Sequence, residues 1–116
     1  VVDVKTGKTP VTKDDAQRHA QLGLYQLAIA HGLAGEDGAP GGGRLVYLGK
    51  PSAAGGATER EQDALTGESA AERLDQVRRA AAETAGPNFT ARVNDGCTHC
   101  PVRRSCPAQH PNTELS

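Results

Sequence analysis

The chain opens on an alternation. Val1, Val2 and Val4 are apolar, Asp3 and Lys5 are charged, and Thr6-Gly7 ends the run. β-branched residues favour an extended backbone, and side chains along a strand point alternately to opposite faces. The pattern predicts a strand over 1–6, with Asp3 and Lys5 on one face beside Val1, and Val2 and Val4 on the other. The next apolar positions, Leu22, Tyr25, Leu27, Ala28 and Ile29, fall at helical spacing. They predict one helix over 14–31, capped by Thr12, with Asp14 and Asp15 in its first turn and Gly32 as its stop. Residues 35–43 hold Gly, Pro and two acids with nothing to bury, which predicts a flexible loop. A second strand is expected over 44–49, with Val46 and Leu48 on one face and Leu45 and Tyr47 on the other. Residues 50–56 read as loop and 58–65 as irregular or weakly helical. A second helix over 70–85 takes Ser69 as cap and Glu72 at capping-box spacing. Leu74 and Val77 form its narrow apolar stripe, and Gly86-Pro87 stops it. Residues 89–93 read as a short extended segment.

Composition adds bounds. With 116 residues the chain suits one small domain with a modest core. Lys and Arg number 13 against 14 Asp and Glu, so the net charge of -1 supplies no global basic field. No apolar run approaches the roughly 20 residues of a membrane helix, and no signal peptide opens the sequence. Methionine is absent and the chain starts inside a core-like strand, so it is expected to be the C-terminal part of a longer protein. The Ala, Gly and Arg bias suits a GC-rich bacterial genome.

Candidate chemistry lies at both ends. A carboxylate and an ammonium one pleat apart on a shared face can hold a hard divalent cation and support charge on a phosphate oxygen. An Asp-x-Lys triplet by itself is equally a surface ion pair. On the first helix, Gln21 and Tyr25 are four residues apart and meet on one face, with Gly23 between them permitting close approach of another backbone. Thr6-Gly7-Lys8-Thr9 looks like the end of a P-loop, but the earlier glycine that motif requires falls at Val2, which excludes it. All three cysteines lie near the C-terminus as Cys97, Cys100 and Cys106, spaced C-x2-C-x5-C. That is a metal-ligand pattern rather than a disulfide framework. Three thiolates leave a four-ligand site one short. A remote cysteine would complete a [4Fe-4S] cluster; His99 or His110 would complete a Zn2+ site.

The ordered set Val-Asp-Val-Lys-Thr-Gly, Gln-x-x-x-Tyr on a helix, and C-x2-C-x5-C resembles the C-terminal part of RecB-like nucleases of the PD-(D/E)XK superfamily. It is most similar to those with an iron–sulfur staple, in the AddB-type and AdnAB-type helicase–nucleases, and the resemblance covers nearly the whole chain. It implies an α/β fold, a partial restriction-endonuclease-like core over 1–96, with a cysteine-cluster tail over 97–116. It implies that Asp3 holds Mg2+ or Mn2+, helped by the Val4 carbonyl, and that Lys5 is the catalytic lysine. Gln21 and Tyr25 would support the centre and contact DNA, and Cys97, Cys100 and Cys106 would ligate a [4Fe-4S] cluster. The implied partners are DNA and a helicase motor in the same chain or a partner subunit, with no membrane, in a bacterial cytoplasm at the nucleoid. The family's earlier parts do not occur here: a helix with a His or Glu, a strand with the first metal-binding Asp, and the first cluster cysteine. The chain alone is therefore expected to be weakly active or inactive. Two other classes remain open: a CRISPR-associated exonuclease with the same motifs, and a non-catalytic DNA-binding or docking module stapled by zinc.

Overall fold

The computed structural model describes residues 1–35 and 38–109. They form two compact units, Val1–Arg78 and Arg79–Ser116. The first holds a mixed sheet of β1 (Val2–Lys5), β2 (Gly43–Pro51) and β3 (Ala57–Gln62), in that spatial order. β1 runs parallel to β2, pairing Asp3 with Leu45 and Lys5 with Tyr47. β3 runs antiparallel to β2, with an irregularity in the register after Tyr47. Parallel neighbours require a crossover, and two helices supply it: α1 (Lys13–Gln17) and α2 (Ala20–Ala30).

The expected alternation organises the sheet. Leu45 and Tyr47 point inward with Asp3 and Lys5, whereas Val2, Val4 and Leu48 are exposed on the opposite face. The core is small. Leu22 of α2 packs on Leu45 and Tyr47, with Val11 against them. Gly43 lets β2 pass directly under Leu22, since a Cβ there would lie 3.1 Å from Leu22 Cδ2. With so little apolar cover, polar groups complete the interior. Gln26 is fully buried; its Nε2 donates to Gln62 Oε1 at 3.0 Å and to the Asp63 carbonyl at 3.1 Å. Its Oε1 accepts from the backbone N–H groups of Gly42 and Leu65, each at 3.1 Å. Buried polar groups are tolerated when satisfied in this way.

Three expectations are corrected. The helix expected over 14–31 is broken: α1 stops at Gln17 and α2 starts at Ala20, with His19 extended at φ -61°, ψ 116°. Its two ends are as expected. Thr12 Oγ1 accepts from Asp15 N at 3.0 Å. At the other end Gly32 adopts φ 91°, with Leu33 N donating to Ala28 O and Gly32 N to Ile29 O, the paired bonds of a Schellman stop. The stretch 58–65 is not helical, because Ala57–Gln62 pairs with β2 as a strand. The last helix, α3 (Gly67–Thr84), begins earlier than expected. Thr66, not Ser69, caps it: Ser69 N donates to Thr66 Oγ1 at 3.2 Å and Thr66 N to Ser69 Oγ at 2.8 Å.

In the second unit, residues 89–93 form no strand. Two 3-10 turns, Asp95–His99 and Arg103–Ser105, carry the cysteine motif. Among the described residues no helix is long and apolar enough to cross a membrane.

Candidate active site

β1 and α2 build the site together. β1 presents Asp3 and Lys5 toward the helix, and the first two turns of α2 present Gln21 and Tyr25 back. Lys5 Nζ donates to Gln21 Oε1 at 2.7 Å and lies 2.8 Å from Asp3 Oδ2. Gln21 Nε2 donates to Tyr25 Oη at 2.7 Å and makes a longer 3.4 Å contact to Asp3 Oδ1. The four side chains named from the sequence thus form one connected cluster. Gln21 is its hub, and only one orientation of its amide works. Turning the amide over would set its NH2 group against the Lys5 ammonium and its oxygen against the Asp3 carboxylate.

The electrostatics favour fixed charges. The side chains of Asp3 and Lys5 are 17% and 31% exposed, so both are sheltered yet reachable. Hydrogen bonding to the Asp3 carboxylate, more than the opposing effect of burial, holds the Lys5 pKa above its ordinary value. A lysine raised in this way stays protonated at neutral pH. It is suited to neutralise negative charge and unsuited to remove a proton from water, which requires a pKa near the working pH. Lys5 sits beside Tyr47, its partner on β2. The Tyr47 hydroxyl accepts from Val11 N at 3.3 Å, and Arg60 Nε donates to Val11 O at 2.7 Å. These two contacts fix the loop that links the strand to α1.

Asp3 also fits a divalent cation. Its Oδ2 is buried and meets no well-aligned hydrogen-bond donor, because the Lys5 ammonium approaches it from a skewed direction. Mg2+ is commonly held by one or two carboxylates together with substrate phosphates and water. One carboxylate and the neighbouring Val4 carbonyl supply the protein share of such a set.

The cysteines behave differently. Cys97, Cys100 and Cys106 are free thiols, and Asn94 N donates to Cys97 Sγ at 3.3 Å. Among the described residues no three His, Cys, Asp or Glu side chains converge on one metal position, and the three thiols are no exception. As arranged, they do not fit a cluster. His110, one of the two histidines considered as a fourth ligand, lies outside the described residues.

Comparison with known families settles the class of this arrangement. A profile described as PD-(D/E)XK nuclease superfamily matches residues 1–107. The chain belongs to the PD-(D/E)XK nuclease superfamily. The match takes in β1, α2 and the cysteine motif. A comparison with curated proteins finds no match. For a superfamily member, the mixed α/β sheet with Asp3 and Lys5 on the face under a helix is the expected partial core.

Sequence reasoning passed over two features near the site. Gly23 was expected to admit another backbone; it admits the Arg73 side chain, whose Nε lies 2.7 Å from where a Cβ would stand. Gln26, next to Tyr25, was hidden because a buried glutamine interrupts the apolar pattern. The only signal for either was the position itself: a glycine, and a polar residue, on the inward side of an otherwise apolar helix.

Proposed function

We propose that the intact protein carrying this chain hydrolyses DNA phosphodiester bonds in a Mg2+- or Mn2+-dependent reaction, as the nuclease part of an ATP-dependent helicase–nuclease of double-strand-break repair. One observation carries the reading: Asp3, Lys5, Gln21 and Tyr25 form a single hydrogen-bonded centre in a PD-(D/E)XK superfamily chain. When bound, the divalent cation lowers the pKa of a water and offsets charge on the phosphate. Asp3 Oδ2 and the Val4 carbonyl would hold it. The Lys5 ammonium neutralises charge that develops on the scissile phosphate, at a position fixed by Gln21 Oε1. Because Gln21 donates to the Tyr25 oxygen, the Tyr25 proton is left to donate outward to a phosphate oxygen of the bound strand.

The helicase context rests on the resemblance to AddB-type and AdnAB-type enzymes, and the metal staple on the C-x2-C-x5-C spacing. No step of the reaction is assigned to the cysteines. Anaerobically purified intact protein is expected to contain iron and sulfide and to absorb broadly in the visible. Colourless protein with one zinc would overturn the iron assignment.

The reaction is tested by incubating the intact protein with linear DNA. Cleavage is expected with Mg2+ or Mn2+ and is expected to stop with excess chelator. Equal cleavage in chelator, or cleavage of RNA alone, would contradict the reading.

A further inference from the structure

The break between α1 and α2 has no local cause. Residues 13–22 contain neither Gly nor Pro, and helical spacing alone would run one helix through them. Contacts from distant parts of the chain supply the cause. Four successive carbonyls at the junction accept from two side chains. Gln62 Nε2, at the end of β3, lies 3.0 Å from Ala16 O, 3.1 Å from Gln17 O and 3.0 Å from His19 O. From α3, Arg73 Nη2 reaches Gln17 O at 3.3 Å and Nη1 reaches Arg18 O at 3.2 Å. Helix C-termini leave carbonyls that need partners. Here the partners are provided part-way through what would otherwise be one helix.

These contacts bear directly on the site. His19 is the residue before α2, and Gln21 lies in its first turn. Any change in how α2 starts moves Gln21 relative to Lys5, 2.7 Å away. Arg73 is itself seated by Gly23, midway between Gln21 and Tyr25 in sequence, and by Gln76 Oε1 at 3.2 Å. We propose that Gln62 and Arg73 are positioning residues: by capturing the carbonyls of residues 16–19 they hold the break open and set Gln21 against Asp3 and Lys5. The inference rests on the nuclease reading for its effect on catalysis, though not for its effect on α2.

The test compares Arg73→Met and Gly23→Ala in the intact protein, each with Gln21 present and with Gln21→Ala. Gly23→Ala displaces the Arg73 guanidinium while favouring helix formation, so it separates positioning from loss of stability. With Gln21 present, both variants are expected to cut DNA about 10- to 100-fold more slowly, the scale of a small misplacement of a catalytic group. In the Gln21→Ala background the further loss is expected to be less than about twofold, because coupled residues do not act additively. The same fold loss in both backgrounds, or full activity in Gly23→Ala, would overturn the proposal. Hydrogen exchange of the peptide covering residues 18–25 gives a readout independent of cleavage. Faster exchange there in Arg73→Met, with β1 and β2 unchanged, is expected; unchanged exchange would overturn the inference. If the wild-type protein did not cut DNA at all, the nuclease reading would fail and exchange alone would decide the positioning role.

Discussion

Lys5→Ala is expected to slow DNA cleavage by the intact protein by about 10²- to 10³-fold, the cost of removing one preorganised group that stabilises transition-state charge. The same change should leave binding of Mn2+ at Asp3 intact or stronger, since the ammonium 2.8 Å from Asp3 Oδ2 competes for that carboxylate. This opposition of effects identifies an electrostatic role, because loss of folding would weaken both. The direction of the Lys5 pKa makes a second point. The group is raised by its carboxylate neighbour, so the stability it contributes is present below the pKa of an unfolded lysine. That contribution is lost only as pH rises through the higher folded value. From about pH 6 to 9, well under the ordinary lysine pKa of about 10.4, neither stability nor rate should therefore show a step due to Lys5. A pH–rate profile of the wild-type protein checks this. A lysine acting as a general base would give a rise in rate within that window.

Gln26→Leu is expected to destabilise the chain by about 3–5 kcal/mol, because the substitution strands several buried groups at once. Leucine fills most of the volume and accepts nothing. The N–H groups of Gly42 and Leu65 lose their acceptor, and Gln62 Oε1 loses its donor. Stranding a buried polar group costs about 1–3 kcal/mol each, and few compensating apolar contacts exist in so small a core. Urea denaturation followed by circular dichroism reads the shift in midpoint. Gln26→Glu keeps the acceptor and should be milder than leucine at a pH where the carboxylate is charged, although it gives up the donor to Gln62. A midpoint for Gln26→Leu equal to the wild type would show that the network is not a mainstay of this fold.

The contrast between what the sequence reveals and what it hides follows from where each signal lies. β1 and β2 are legible because their inward and outward residues differ in polarity. The pairing of Gln21 with Tyr25 is legible because helical spacing alone brings them together. β3 is not legible. Its outward Glu59 and Glu61 pair with Arg44 at 3.2 and 2.6 Å, and its inward Thr58, Arg60 and Gln62 are polar as well. A strand held by its backbone ladder and by charge pairs carries no apolar period. The break at residues 18–19 is hidden for a related reason, since its cause lies in Gln62 and Arg73, some 45 to 55 positions away. The cysteine spacing is legible as a ligand pattern. It fixes sequence distances, not the direction of three thiols, and the described conformation does not converge them.

The most direct test of the account is Mn2+-dependent DNA cleavage by the intact protein with Asp3→Asn, an exchange that keeps shape and removes the charge. The carboxylate is taken to hold the metal, and losing several kcal/mol of charge stabilisation corresponds to about 10²- to 10⁴-fold in rate. The account expects a loss of that size that persists when Mn2+ is raised, with folding unchanged. Cleavage by Asp3→Asn at the wild-type rate and with the wild-type metal dependence would contradict it.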